Sequence, residues 1–140
     1  MYYRQTWIFL VLSIVFTAMA SAQITVDISN LRGNSGRMFL ALYDSPDTFL
    51  DENRAMRTEV APVTASSFSF TFQDLPPGDY ALAVFQDCNG NDKLDTGMFG
   101  IPKEPYGFSN DAKASFGPPK YEDARFSVGQ GSTTIQLTLR

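Results

Sequence analysis

Ser67-Phe68-Ser69-Phe70-Thr71-Phe72-Gln73 alternates polar and apolar residues without a break. Successive side chains of an extended strand point to opposite faces, so this segment puts three phenylalanines on one side and four polar residues on the other. A helix would scatter those rings around its circumference, and a strand buried on both faces would not carry the serines. The segment therefore belongs to a sheet with one wet face, whose phenylalanine side needs a partner layer.

The flanking sequence repeats the pattern. Upstream, Ile24, Val26 and Ile28 alternate with Thr25, Asp27 and Ser29, and residues 37–44 are apolar on both faces, as in a central strand. Ser45-Pro46-Asp47 reads as an N-cap with proline at the first helical position, predicting one short helix within residues 45–55 before a strand near 58–64. Downstream, Leu75-Pro76-Pro77-Gly78-Asp79 must turn, because proline cannot donate a ladder hydrogen bond and glycine admits positive φ. A strand over residues 80–86 follows. Ala124, Phe126 and Val128, then Ile135, Leu137 and Leu139, flank Gly129-Gln130-Gly131 and predict a closing hairpin. The expectation is an all-β sandwich of seven short antiparallel strands. Residues 97–120 lack periodicity and carry Gly100, Pro102, Pro105, Gly107, Gly117, Pro118 and Pro119; this is one long Gly/Pro-rich loop whose Phe99, Tyr106, Phe108 and Phe116 argue for order.

The amino terminus reads as a secretory signal peptide over residues 1–22: a single charge at Arg4, an apolar run over 7–20, then Ala20-Ser21-Ala22 before Gln23. Residues 23–140 then form a single domain, periplasmic or extracellular, with no membrane span once the signal is cleaved. Without Arg4 that segment carries ten basic and fifteen acidic residues, net −5, with the basic residues scattered, which excludes nucleic acid as an expected partner. Cys88, the single cysteine, is expected to be a free thiol in a polar turn.

Side-chain oxygens recur at every second residue in Asp87-Cys88-Asn89-Gly90-Asn91-Asp92-Lys93-Leu94-Asp95, directly after a strand. A hard cation takes oxygens at such spacing, so calcium is the expected cofactor, held by Asp87, Asn89, Asn91, the Lys93 carbonyl and Asp95. Met98 stands where an EF-hand needs glutamate and Asp92 where it needs glycine, so the missing ligand falls to Glu104, Asp111 or a carbonyl of the long loop. The ion-free alternative is a turn in which Asn89-Gly90 supplies the positive φ and the carboxylates cap backbone N–H groups. With no histidine and one cysteine, transition-metal sites lack ligands.

The successive motifs Leu75-Pro76-Pro77-Gly78-Asp79-Tyr80-Ala81, Asp87 to Thr96, and Gly100-Ile101-Pro102-Lys103-Glu104-Pro105-Tyr106-Gly107-Phe108-Ser109-Asn110, then Phe116-Gly117-Pro118-Pro119 and Glu122-Asp123-Ala124, resemble the secreted bacterial family catalogued as domain of unknown function 2141. The resemblance covers nearly all of residues 23–140. It implies an exported sandwich of immunoglobulin-like or transthyretin-like form and transfers no activity. Asp92 replaces the second glycine of the Asn-Gly-Asn-Gly pattern such sequences often show, a substitution that tolerance of positive φ by Asp accommodates.

Catalytic constellations are sparse. The missing histidine removes serine and cysteine triads, and neither a nucleophile elbow nor a phosphate loop occurs. The enzymatic alternative is a carboxylate-based glycan hydrolase using two of Asp87, Asp92, Asp95 and Glu104. The leading expectation is a non-enzymatic envelope module, calcium-stabilised and either binding or structural, contacting a protein or glycan through Tyr106, Phe108 and Phe116. Exposed rings on the long loop favour binding; buried rings favour a purely structural role.

Overall fold

The structure, a computed structural model, describes residues 14–15 and 17–140. The core of the expected leader, residues 1–13 and 16, lies outside the described residues, and among those described no helix is long and apolar enough to cross a membrane. The strands are β1 (Ala22–Ser29), β2 (Arg37–Tyr43), β3 (Arg57–Pro62), β4 (Phe68–Leu75), β5 (Gly78–Asp87), β6 (Tyr106–Phe108), β7 (Phe126–Val128) and β8 (Gly131–Thr138), with one helical turn, α1 (Tyr121–Ala124), before β7. They form two sheets: β4-β1-β8 and β3-β2-β5-β6, with β7 pairing along the start of β5.

The phenylalanine segment behaves as its alternation requires. Phe68, Phe70 and Phe72 pair with Ile28, Val26 and Ile24 of β1, on one face, while Thr71 and Ser69 pair with Thr25 and Asp27 on the other. Against that apolar face pack Met38, Leu40 and Leu42 of β2, Tyr80, Leu82 and Val84 of β5, and Val128. Each fully buried aliphatic side chain contributes about 1.5–3 kcal/mol, so this interlayer is the main stabilising term. Gly107 in β6 marks a close approach between the sheets: a Cβ there would lie 2.7 Å from Leu137 Cδ2.

Four expectations are corrected. Eight strands replace seven, because residues 106–108 pair with residues 83–85 inside what reads as loop. β8 runs parallel to β1, so the sandwich is not wholly antiparallel. The closing hairpin is absent: β7 and β8 enter different sheets, since Val128 and Leu137 fill the same core from opposite layers. Gly131, at φ 96°, makes the crossing and donates its N–H to the Ser21 carbonyl. Finally, residues 45–55 form turns and a 3-10 turn at Glu52–Arg54 capped by Asp51, because Leu50 at φ 67° interrupts helical winding.

Candidate functional site

β5 ends on Asp87, fully buried, and the turn beyond it folds around that carboxylate. One oxygen accepts the Gly90 N–H at 2.8 Å, the other the Asp92 N–H at 3.0 Å. Burial acts to raise the Asp87 pKa; the N–H donors of Asp92, Gly90 and Asn91, together with the Arg37 guanidinium, outweigh it and hold the carboxyl below its ordinary range. Arg37 reaches Asp87 at 3.5 Å and also pairs with Asp92. Gly36, at φ 84°, lets the neighbouring chain pass this turn, because any Cβ there would overlap the Asp87 carbonyl oxygen.

The outer half of the turn closes on itself. Asn89 and Asn91 accept backbone N–H bonds from Asn91 and Lys93, each at 3.2 Å, and donate their amides to the two oxygens of Asp95. Glu104, 6% exposed, reaches in from the following segment and accepts the Cys88 N–H at 2.8 Å and the Asp95 N–H at 3.1 Å, stapling both arms. Asp87, Asn89, Asn91, Lys93 and Asp95 thus lie along one turn and Glu104 bonds both of its arms, with the Asp87 carboxylate on the Gly90 and Asp92 N–H groups and the Asn89, Asn91 and Asp95 side chains bonded to one another. Asp111 does not, because it accepts the Thr138 N–H on β8. Asp92 takes φ 65°, the left-handed geometry that a glycine supplies at the sixth position of a cation loop. Among the described residues no group of three or more acidic or cysteine side chains is placed to hold a metal ion. Each of the four carboxylates considered for glycan chemistry is engaged: Asp87 and Glu104 by backbone donors, Asp92 by Arg37, Asp95 by two amides. The Cys88 thiol is free and exposed, and desolvation pushes its pKa up despite Arg32.

The outer face of the second sheet is the larger feature. Cross-strand register sets Val60, Phe39, Phe85 and Tyr106 in one row and Thr58, Ala41, Ala83 and Phe108 in the next. Phe39 and Phe85 stack at 4.7 Å with their planes 10° apart. The paired alanines between such bulky neighbours leave a depression where a central strand ordinarily carries β-branched or aromatic residues. Beyond it Phe49 packs edge-on against Tyr43, Phe108 and Tyr121, with centroids 5.5, 6.4 and 5.7 Å away. Residues from 92–102 and from 112–119 complete the lining of the depression, a groove of about 780 Å³.

Of the expected partner residues, Tyr106 and Phe108 line this groove half-buried, whereas Phe116 stands 96% exposed outside its lining. Phe99 is 93% exposed on the groove wall and holds φ 58°, a left-handed conformation uncommon for a bulky side chain. Sequence reading missed Phe39, Ala41, Ala83 and Phe85; the signal was the doubly apolar pattern of residues 37–44, whose outward set reads equally as core.

Searches of curated proteins and of solved structures each found no match. A family model does match, over residues 26–136, from within β1 to within β8. That span takes in strands of both sheets, the acidic turn and all of the groove lining but Arg140, so the chain belongs to the family described as uncharacterized protein conserved in bacteria, DUF2141.

Proposed function

We propose that this chain is an exported, non-enzymatic binding module of the cell envelope whose ligand lies in the groove on the outer face of the second sheet. One observation carries the reading: the groove of about 780 Å³ has an apolar floor of Phe39, Ala41, Ala83 and Phe85 and an exposed apolar wall at Phe99 and Ile101. Its volume falls in the range of small-molecule sites. A phenylalanine held both exposed and left-handed costs stability, and such strain concentrates where binding uses it. The open rings of Phe99 and Phe116 favour binding over a purely structural role. The test is fluorescence titration with the neutral dye N-phenyl-1-naphthylamine. Uptake by the native chain and its loss in Ala83→Trp, which fills the floor without entering the core, supports the reading; equal uptake by both refutes it.

Calcium at the acidic turn is a second proposal, supported by the left-handed Asp92 and by the convergence of Asn89 and Asn91 on Asp95. An ion at Asp95 would replace two amide donors, and affinity in the ~10⁻⁴–10⁻³ M range of extracellular modules is expected. An ion bound only by the folded chain raises the melting midpoint. Identical melts in millimolar calcium and in chelator exclude it.

A further inference from the structure

Side-chain charge at the groove runs against that of the chain. The protein has a formal net charge of −4, yet the groove is lined by three basic residues, Lys93, Lys113 and Arg140, against two acidic ones, Glu52 and Asp92. Asp92 is already paired with Arg37, which leaves Glu52 as the acidic lining residue outside the ion pairs found among the described residues. Arg140 is tied into the wall: its guanidinium donates to the Ala112 carbonyl at 2.5 Å and lies over the Tyr106 ring, 5.5 Å from its centroid. The residue after Ala112 is Lys113, so Arg140 is bonded to the backbone next to one lysine, and Lys93 lines the same groove. Lys93 and Lys113 are exposed, and neither forms an ion pair within the described residues.

Resting on the binding reading above, we infer that the groove's ligand is a small anionic amphiphile: an apolar body over the alanine floor and a single carboxylate-type head at the Lys93, Lys113 and Arg140 rim. The apolar floor accounts for the body, since removing hydrocarbon from water needs no directional partner. The rim accounts for the head. An anion there meets unpaired ammonium groups, whereas a cation meets net repulsion.

The experiment displaces N-phenyl-1-naphthylamine from the full chain with laurate, dodecanol or dodecyltrimethylammonium, each below its micelle concentration. Laurate is expected to displace the dye at about tenfold lower concentration than the cationic amphiphile, with dodecanol between them. In the double variant Lys93→Glu/Lys113→Glu that order should collapse or invert, while dodecanol changes less than about twofold. Circular dichroism melts of the variant check folding; both lysines are exposed, so an unchanged midpoint is expected. Equal displacement by all three amphiphiles, or a laurate preference that survives the double charge reversal, overturns the anionic assignment and leaves the groove standing. Absence of dye uptake by the native chain overturns both.

Discussion

Replacing Asp87 by Asn tests whether the buried carboxylate holds the turn. Its oxygens accept N–H bonds at 2.8 and 3.0 Å, and Arg37 lies 3.5 Å away. Asparagine keeps one acceptor, turns an NH₂ toward a backbone donor and loses the charge. Hydrogen bonds to charged groups contribute about 1.5–3 kcal/mol, and the opposed donor adds to the loss. Arg37 is 40% exposed, so its pairing adds little. A destabilisation of roughly 2–4 kcal/mol follows, which at about 4 °C per kcal/mol for this chain length lowers the melting midpoint by roughly 8–16 °C. The assay is thermal unfolding by circular dichroism at pH 7, repeated on acidification. Because the folded-state pKa of Asp87 is depressed, its stabilisation is complete above the unfolded value near ~3.9 and disappears once pH falls through the folded value. The gap between native and Asp87→Asn should therefore be full at pH 6–7 and shrink below about pH 4, by roughly 1.4 kcal/mol per pH unit. A midpoint change under about 3 °C at pH 7, or a gap that persists undiminished to pH 2, refutes the account.

Gly36→Ala combines a positive φ with overlap on the Asp87 carbonyl, and a loss above about 2 kcal/mol is expected in urea unfolding. Phe49→Ala removes three edge-on aromatic contacts from a half-buried ring and should cost about 2–3 kcal/mol, read as a lower urea midpoint at constant slope. Phe99→Gly relieves left-handed strain of order 1 kcal/mol, so thermal stability should hold or rise while dye affinity falls; reduced stability with unchanged affinity would contradict the role given to that ring. Desolvation raises the Cys88 pKa, which predicts that iodoacetamide modifies it more slowly at pH 7 than a model thiol peptide and that its rate keeps climbing with pH after that of the peptide has levelled off.

The sandwich was legible because its inner faces are regular. Phe68, Phe70 and Phe72 leave a strand no other register, and Ile24, Val26 and Ile28 repeat the same period. Pairing partners were less legible, since alternation says which face is buried and is silent on which strand lies alongside. Gly129-Gln130-Gly131 reads equally as a hairpin turn or as the crossing it is, and Phe126 and Ile135 satisfy either. The acidic residues were all visible, and so was the alternative use of their oxygens. A carboxylate that binds an ion and one that caps an N–H have the same letter and the same spacing, so the sequence could not show that the N–H groups of Gly90, Asp92, Cys88 and Asp95 are bonded to Asp87 and Glu104. The groove was least visible, because it depends on what Ala41 and Ala83 leave out, and an alanine pair gains meaning only when register sets it between Phe39, Phe85, Tyr43 and Phe108.

The turn and the groove are mechanically one unit. Asp92, Lys93, Leu94 and Thr96 line the groove, and the chain that carries them is fixed at Asp87 behind and by Glu104 ahead. The Asp95 carbonyl also accepts the Lys103 N–H at 2.8 Å, and Thr96 bridges Pro102, which closes residues 95–103 into a loop bearing Phe99 at its tip. Backbone N–H groups bonded to buried carboxylates are costly to break singly, because each leaves an unpaired partner in a low-dielectric setting. The exposed Phe99 can therefore keep its left-handed conformation against solvent, since its base is over-determined by bonds it does not itself make. Strain at the groove's edge and carboxylates buried at its root are two ends of the same arrangement: the second is what permits the first.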